Sequence, residues 1–391
     1  MKQKEPAMNK IPAGYKKTEV GVIPEDWQIN RVGYVCKLIN GRGFKPFEWK
    51  TSGLPIIRIQ NLNGSEEYNY FSGFYDKKLE IETGQLLFAW SGSRGTSFGP
   101  HVWKGRLGLL NYHTWKVHIH ETVITRDFLL HSLRQLTTYI EGWAHGASAL
   151  VHVQKWQMED FLIPMPPNFA EQEAIATALN DADALITQLE KLIAKKRLIK
   201  QGAMQQLLTG KKRIPGFIDK WELKMISEIA PLKRGFDLPN RNLRLGSYPV
   251  IYSDGMLNHH ITFKVKGPGV VTGRSGTIGT VTFVEKDFWP HNTSLWVTSF
   301  RGNDPKFVYY LYTRIGLERF ATGSGVPTLN RNDVHSFKVK IPSNRDEQET
   351  IAQILIDLDA EIEALENKLA KYKQIKQGMM QSLLTGKVRL L

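Results

Sequence analysis

The chain has 391 residues, a length that fits two to four folded units better than one core, and its 41% hydrophobic and 23% charged residues exclude global disorder and a fibrous protein. The single cysteine, Cys36, excludes an intramolecular disulfide and a cysteine-rich zinc site. A net charge of +14 favours a polyanionic partner, above all nucleic acid, although a basic surface without a partner stays the alternative.

The N-terminal segment is polar. Residues 1–17 contain no apolar core of a signal peptide, and no apolar run of the sequence approaches the roughly 20 residues that cross a bilayer. We therefore expect a cytoplasmic protein that does not associate with a membrane.

The first block of the chain, residues 1–165, is predicted to be a mixed α/β domain. Apolar strand candidates occur at 54–59, 85–90 and 114–119, and turn signals such as Asn63-Gly64 separate them. A short helix is predicted at 127–141.

The next segment, residues 166–213, is predicted to be a long helix. No proline falls between residues 171 and 213, so one helix of about 38 residues, roughly 57 Å long, is expected. Gly210 stands where a terminal glycine ends a helix, and Gly202 is expected to bend it. Apolar residues recur at alternating steps of four and three, which is the a/d seam of a coiled coil; they are Ile175, Leu179, Ala182, Ile186, Leu189 and Ile193.

The second half of the chain has the same order. Residues 214–341 are predicted to be a second mixed α/β domain, with strands at 269–272, 280–284 and 294–298 and a helix at 305–320. Residues 342–391 are predicted to be a second long helix region, with a seam of Ile351, Leu355, Leu358, Ile362, Leu365, Leu369 and Tyr372.

The two helical segments are copies of each other. Residues 166–213 align without a gap to residues 342–389 at an offset of 176, with 28 identities in 48 positions. Weaker echoes surround them: Trp27 matches Trp221, the Arg-Gly-Phe of 42–44 matches that of 234–236, and Asn111 and Trp115 match Asn292 and Trp296. The prediction is an α+β fold with a pseudo-twofold repeat, in which the two long helices pair as an antiparallel coiled coil. An intermolecular helix pair is the alternative.

Polar and aromatic residues in the loops of both blocks are the DNA-binding candidates. Arg can pair with guanine, and Asn or Gln with adenine, in the major groove. For each residue the alternative is loop hydrogen bonding or a phosphate contact, and Trp27, Trp115, Trp221 and Trp296 are expected in the core. The candidates are Arg42, Phe44, Arg58, Gln60, Asn61, Arg94, Asn111, His113, Arg234, Phe236, Arg274, Asn292, Asn330 and Arg331.

Motifs of catalysis are missing from the sequence. There is no G-x-x-x-x-G-K-[ST] nucleotide loop, and residues 273–279 have the wrong glycine spacing for a dinucleotide site. Met165-Pro166-Pro167-Asn168 lacks both the Asn or Asp and the aromatic residue that flank Pro-Pro in adenine methyltransferases. His113 and His259-His260 have no partners at metal-ligand spacing. We expect neither an active site nor a metal site.

The repeat motifs resemble those of the specificity subunit of type I restriction-modification systems. The resemblance covers nearly the whole chain, and it is carried by residues 171–176, 200–202 and 207–211, by their copies at 347–349 and 376–387, and by the segments 21–27 and 214–217 that lead into the variable blocks.

The resemblance implies a non-catalytic subunit that binds double-stranded DNA. Two target-recognition domains, residues 1–165 and 214–341, would each read one half of a bipartite site, and the helix regions, 166–213 and 342–391, would set the spacer between the halves. Two methylation subunits would dock on the chain and bring S-adenosylmethionine, and restriction subunits would add ATP- and Mg-dependent translocation and cleavage. The chain itself would bind no cofactor.

Two other classes of protein stay open at this point. A structural coiled-coil adaptor with two protein-binding heads would show no salt-dependent affinity for DNA. An enzyme with an unrecognised site, such as a nuclease, would cut or methylate DNA as the purified chain.

Overall fold

The computed structural model describes residues 11–143, 150–323, 325 and 327–390. Residues 1–10 of the N-terminal segment therefore lie outside the described residues. The chain divides into two compact units, the first formed by Met1–Gln188 with Leu369–Leu391 and the second by Leu189–Lys368. Each unit takes one half of each long helix, so the units cut across the four segments predicted from the sequence, whose boundaries stay a prediction.

The two long helices are α5 (Phe169–Leu207) and α9 (Arg345–Leu383), each of 39 residues. Both continue through the glycines at 202 and 378, which do not end the helix. Shortly after each helix the chain adopts a left-handed conformation at an equivalent glycine, with φ of 70° at Gly210 and 68° at Gly386. This is the termination that the glycine positions predict.

Each unit pairs opposite halves of the two long helices. In the first unit Asp183 of α5 forms an ion pair with Lys376 of α9. In the second unit Lys200 of α5 forms an ion pair with Asp359 of α9. Positions later in α5 thus meet positions earlier in α9, so the helices run antiparallel. The predicted α+β class with an antiparallel helix pair is confirmed.

The first unit contains two four-stranded sheets and three strand pairs. One sheet is antiparallel in the order β10-β8-β12-β4, and the other, β6-β5-β11-β7, contains the parallel pair β5 and β11. Its strands are β1 Tyr15–Thr18, β2 Gly21–Pro24, β3 Gln28–Arg31, β4 Cys36–Asn40, β5 Leu54–Ile57, β6 Asn69–Phe71, β7 Glu80–Ile81, β8 Leu86–Ala89, β9 Ser91–Ser93, β10 Gly99–Val102, β11 Gly108–Leu110, β12 Thr114–Ile119, β13 Leu150–His152 and β14 Leu162–Met165. Its helices are α1 Val32–Val35, α2 Ile59–Leu62, α3 Arg126–Trp143 and α4 Lys155–Asp160, with 3-10 turns at Pro46–Glu48 and Lys77–Leu79.

The second unit repeats this plan with fewer strands. Its sheets are β16-β22-β19-β20, which is antiparallel, and β18-β17-β21, in which β17 and β21 are parallel. The strands are β15 Trp221–Met225, β16 Leu232–Arg234, β17 Tyr248–Tyr252, β18 Gly255–His260, β19 Gly269–Gly273, β20 Val281–Val284, β21 Trp289–Pro290, β22 Ser294–Val297, β23 Ala321–Thr322, β24 Thr328–Leu329 and β25 Lys338–Pro342. The helices are α6 Ile226–Ile229, α7 Pro305–Ile315 and α8 Arg331–Ser336, with 3-10 turns at Asn240–Asn242 and Leu317–Phe320.

The predicted helix at 305–320 is too long. Helix α7 ends at Ile315 because Gly316 is left-handed, with φ of 68°, and a 3-10 turn follows it. The helix predicted at 127–141 is α3, and the six predicted strands coincide within one or two residues with β5, β8, β12, β19, β20 and β22.

Strand register fixes which residues of the two units are equivalent. In the first unit Ile56 pairs with Leu109 and Leu38 with Val117. In the second unit Val250 pairs with Trp289 and Leu232 with Val297. The offset is therefore 194 for the early strands and 180 for the later ones.

These offsets correct two of the sequence echoes. Gly41 corresponds to Gly235, so Arg42 matches Phe236 rather than Arg234. Asn111 corresponds to His291 rather than Asn292, and Trp115 to Leu295. The sequence echoes paired identical residue types, whereas the positions that are equivalent in the backbone carry different side chains.

The ends of the long helices form part of each hydrophobic core. In the first unit Ile175 and Leu179 pack into the same core as Leu383 and Leu384. The equivalent residues of the second unit, Ile351, Leu355, Leu207 and Leu208, occupy its core in the same way. Of the other predicted seam residues, Leu189, Ile193 and Ile362 are buried, and Ala182, Ile186, Leu358, Leu365, Leu369 and Tyr372 are partly buried. Within the described part of the chain, no helix is long and apolar enough to cross a membrane.

Candidate nucleic-acid interface

Both units contain the same arrangement of backbone hydrogen bonds where β4 or β16 ends. In the first unit Gly41 N donates to Thr114 O at 3.3 Å, Arg42 N to Leu110 O at 3.0 Å, and Trp90 N to His113 O at 3.2 Å. In the second unit Gly235 N donates to Ser294 O at 3.0 Å, Phe236 N to Pro290 O at 2.8 Å, and Arg274 N to Thr293 O at 2.8 Å. We call this arrangement the strand junction; it comprises residues 40–43, 90 and 110–114 in the first unit and 234–237, 274 and 290–294 in the second.

A glycine is required at one position of each strand junction. A Cβ atom on Gly41 would lie 2.0 Å from Asn111 O, and one on Gly235 would lie 2.1 Å from His291 O. Both neighbours are backbone atoms, which cannot move aside as a flexible side chain can. The glycines of the Arg-Gly-Phe echo therefore have different roles, since Gly235 is in this tight contact and Gly43 is not.

The side chains of the two strand junctions differ at almost every equivalent position. Trp90 and Arg274 occupy equivalent positions, and each donates a side-chain N–H to an equivalent backbone carbonyl. Trp90 Nε1 donates to Tyr112 O at 2.8 Å, and Arg274 Nε donates to Asn292 O at 3.2 Å. Other equivalent pairs with different side chains include Arg42 and Phe236, Gly43 and Asp237, Tyr112 and Asn292, and His113 and Thr293.

In the first unit the strand junction is aromatic. The rings of Tyr112 and His113 lie 3.7 Å apart, and His113 lies 5.3 Å from Trp90, which stacks on Trp115 at 6.1 Å. Tyr112 is 48% exposed, whereas Trp115 is buried. Partial burial lowers the pKa of His113, so its ring is neutral at pH 7. Tyr112 and Trp90 were not among the sequence candidates, although aromatic residues beside a strand end were a usable signal.

Several candidates of the first unit have structural roles. Phe44 is buried with Ile56 and Phe71 in a small core. Arg42 lies 4.9 Å from the rings of Phe44 and Phe71 and forms an ion pair with Glu48. Phe44 is therefore not exposed enough to stack on a base.

The 58–61 segment is also largely committed to the fold. Asn61 is buried and donates through Nδ2 to Ser65 O at 3.0 Å and Glu67 O at 2.9 Å, and its Oδ1 accepts from Arg58 N at 3.0 Å. Arg58 stacks over Trp49 at 4.2 Å, and burial lowers the pKa of its guanidinium. Gln60 is exposed, as is Arg94, which lies in the turn after β9, whereas Asn111 is buried.

The strand junction of the second unit is polar and charged. Arg274 is half-buried, and burial and the neighbouring Arg234 lower the pKa of its guanidinium, an effect that Asp237 opposes. Asn292 Nδ2 donates to Asp237, whose carboxylate lies 3.7 Å from the exposed Arg234. Asp237 was not a sequence candidate. Phe236 is partly buried and lies 6.3 Å from Trp296.

The remaining candidates lie at the start of α8. Asn330 is its N-cap, with Oδ1 accepting from Asn332 N at 3.0 Å, so its side chain has a structural role. Arg331 is exposed. The structure thus brings Arg42, Asn111 and His113 together in one junction and Arg234, Phe236, Arg274 and Asn292 in the other. The prediction that the candidates contact DNA stays a prediction.

The repeated Glu-Gln motif of the long helices forms buried polar contacts. Gln172 accepts from Thr125 N at 2.8 Å and donates to Pro166 O at 3.0 Å. Its copy Gln348 accepts from Asp304 N at 2.9 Å and donates to Pro342 O at 2.9 Å. Each glutamine therefore fixes the start of a long helix against the loop before α3 or α7.

The preceding glutamate binds an arginine from the tail of the other helix. Glu171 accepts from Arg389 Nε at 2.5 Å and Nη2 at 2.8 Å, and Glu347 accepts from Arg213 Nε at 2.7 Å and Nη2 at 2.8 Å. Both glutamates are buried. These interactions explain why the two copies of the motif retain the same letters.

The described residues offer neither a metal site nor a reactive thiol. No group of three or more His, Cys, Asp or Glu side chains in this part of the chain could hold a metal ion. The buried Cys36 donates to Val32 O at 3.4 Å, and burial raises the pKa of its thiol to about 12. A thiol with so high a pKa is a poor nucleophile at neutral pH.

Known proteins share the sequence pattern and the fold of this chain. The family model of the type I restriction modification DNA specificity domain matches residues 24–201 and again residues 218–377. The MjaVIII type I restriction enzyme specificity subunit of Methanocaldococcus jannaschii is 22% identical over 94% of both chains.

Two solved structures are similar in fold. The type I restriction-modification S subunit of M. genitalium has a TM-score of 0.60 at 16% identity, covering 91% of this chain and 96% of its own. A chain solved in work on the complex assembly and conformational transition of the type I restriction-modification system has a TM-score of 0.59 at 14% identity, covering 94% and 99%. Because the family model matches both halves of the sequence, the chain belongs to the family of DNA specificity subunits of type I restriction-modification systems, which are non-catalytic.

Proposed function

We propose that each compact unit of this specificity subunit reads one half of a bipartite DNA site. The observation that carries the proposal is the strand junction, in which the two units share a backbone frame but differ in side chains. A shared frame would present residues to DNA in the same way, and different side chains would select different bases. The net charge of +14 would contribute sequence-independent attraction to phosphates.

We also propose that the chain is the scaffold for two methylation subunits. The long helices carry a strong repeat, so they would offer two equivalent surfaces to two copies of one partner. S-adenosylmethionine would come with these subunits, and ATP and Mg would be used by restriction subunits in the full complex. This assembly would work in the cytoplasm.

An exchange of blocks tests the assignment of the half-sites. Residues 222–341 are replaced by the corresponding block of a homologue with a different target, and methylated adenines are mapped in cells that express the methylation subunits. One half of the methylated sequence should change while the other half stays the same. If both halves remained unchanged, the second block would not be a reader. The matched control exchanges residues 28–165 and should change the other half.

A deletion of one heptad tests the proposal that the helices set the spacer. Residues 186–192 and 368–374 are removed together, which leaves the ion pairs Asp183–Lys376 and Lys200–Asp359 in place. Seven helical residues span about 10 Å, or about 3 base pairs of DNA. The spacer in the selected site should shorten by about that number. A selected site with the original spacer would reject this part of the proposal.

Salt titration separates the proposal from an adaptor that binds only proteins. Affinity of the complex for its target should fall steeply between about 50 and 200 mM salt as counterions are released. An adaptor would show no such dependence. Cleavage or methylation of DNA by the purified chain alone would indicate an enzyme instead.

A further inference from the structure

The strand junctions allow individual specificity residues to be assigned, on the premise that each unit reads DNA as proposed above. Trp90 in the first unit and Arg274 in the second occupy equivalent positions. Each is anchored through one side-chain N–H to the backbone carbonyl that lies two residues after β11 or β21. The anchor fixes the plane of each side chain. A reader with a fixed side-chain plane loses little conformational entropy when it meets a base.

In Arg274 the anchor uses Nε alone. Within the described residues, its side chain donates one hydrogen bond, from Nε to Asn292 O at 3.2 Å. The two terminal nitrogens therefore keep their donors for a ligand, and Arg274 as a residue is half-buried. Two parallel donors in a fixed plane match the O6 and N7 acceptors of guanine.

The neighbours of Arg274 hold this geometry. Asp237 accepts from Asn292 Nδ2, which fixes the residue whose carbonyl anchors Arg274. Arg234 lies 3.7 Å from Asp237 and is exposed, so it adds positive charge at the same edge. Asp237 and Asn292 are thus positioning residues for Arg274.

In the first unit the equivalent residue, Trp90, cannot make a two-donor contact with guanine. The single N–H of Trp90 is already donated to Tyr112 O. The most exposed ring of the junction is Tyr112, whose centroid lies 3.7 Å from that of His113 with the two rings tilted. An aromatic edge favours apolar contact, such as that with the methyl group of thymine.

We propose that Arg274 reads a guanine in the half-site of the second unit, and that the equivalent junction of the first unit reads its half-site through the exposed ring of Tyr112. The two half-sites would then differ because one backbone frame carries a guanidinium in one unit and an aromatic cluster in the other.

Selection from a randomised pool of double-stranded DNA tests the assignment, using the complex of the full chain with its methylation subunits. In Arg274→Lys the positive charge is kept but the two-pronged donor is lost. The variant should lose about 5- to 150-fold of its preference for guanine at one position, which is the range for one bidentate contact. Tyr112→Ala should alter preferences in the other half-site only.

Arg301→Gln is the matched control, because Arg301 is an exposed arginine of the same unit outside the junction and is not among the DNA-binding candidates. It should leave every base preference unchanged. Hydrogen exchange of the variants checks that each remains folded, and Arg274→Gln is a second variant of the same position that should also lose the preference for guanine.

The results separate the assignment from the proposed function. If the wild-type complex selected no bipartite sequence, the proposed function would fail and the assignment with it. If the wild type selected a bipartite sequence but both variants at 274 kept its guanine preference, or if the variants at 112 and 274 altered the same half, the assignment alone would be overturned.

Discussion

The buried pair of Glu347 and Arg213 gives the sharpest test of how the repeat stabilises the fold. The side chain of Glu347 is 0% exposed, and it accepts two hydrogen bonds from Arg213 and one from Trp221 Nε1 at 3.2 Å. In Arg213→Met the carboxylate stays buried but loses its cation and two of these three bonds. Removal of one partner of a buried pair costs about 3–5 kcal/mol.

The expected cost for this pair is at the lower end of that range. The Arg213 side chain is 32% exposed, so water can reach the space that it leaves and solvate part of the charge. We expect the free energy of unfolding to fall by about 3 kcal/mol. If Glu347→Gln is added, the buried charge disappears, and the double variant should recover about 2 kcal/mol of the loss.

Urea unfolding of the four proteins in this double-mutant cycle measures both quantities. Lys212→Met is the matched control, since it removes the same charge from the exposed neighbouring position and should change the free energy of unfolding by less than about 0.5 kcal/mol. A change as small as that in Arg213→Met, or a double variant no more stable than the single one, would refute the role given to the buried charge.

Three further predictions concern single side chains. Cys36 should resist alkylation at pH 8 in the folded protein, because burial raises its pKa to about 12, and mass spectrometry should find rapid alkylation in urea; alkylation at the same rate without urea would contradict this. Gly235→Ala should lower the free energy of unfolding by about 3 kcal/mol, because the added Cβ would lie 2.1 Å from His291 O. Gly202→Ala, in an open helical position, should instead raise the free energy of unfolding by about 0.5–1 kcal/mol. Equal effects of the two substitutions in calorimetry would reject the tight contact at Gly235. Burial and the charge of Arg331 lower the pKa of His335, whose Nε2 accepts from Leu232 N at 2.8 Å. As the pH falls, the ring is therefore protonated in the unfolded chain before it is protonated in the folded protein. The contribution of His335 to stability is present above pH 6.5 and is lost as the pH falls below it. His335→Gln should flatten part of that decline in urea titrations, and an unchanged decline would exclude His335 as its source.

The strong and weak parts of the repeat have different physical causes. The motif residues Glu171 and Gln172, with their copies, are buried and hydrogen-bonded on both sides, so any change leaves a buried polar group without its partner. The junction positions that differ most between the units, Trp90 and Arg274 and Tyr112 and Asn292, are at least partly exposed, and the backbone hydrogen bonds of the junction are present with either side chain. Such positions can diverge without loss of the fold, which suits residues that select different bases.

The sequence by itself determined the duplication, the two long helices and the family, whereas the ion pairs of the structure decided that the helices pair antiparallel within the chain. The conclusions from the sequence depend on local or periodic signals: a heptad seam such as Ile175, Leu179 and Ile186, the lack of proline over each long segment, and glycines at equivalent helix ends. The strand positions also followed from local apolar runs. The predicted helix at 305–320 is longer than α7 because the apolar pattern continues past Gly316, whose left-handed conformation ends the helix.

Only the tertiary structure decided which side chains share a site. Trp90 and Arg274 are different residue types, and their equivalence appears only in the structure, where their backbone N–H groups and their side chains donate to equivalent carbonyls. Phe44 and Asn61 matched the composition of a DNA-reading loop, but the fold buries them. Sequence distance also hid the contact of Asp26 and Glu171 with Arg389. The physical reason is that burial and hydrogen-bond partners are set by strand register and by chain segments far apart in sequence, and neither is encoded in any one local pattern.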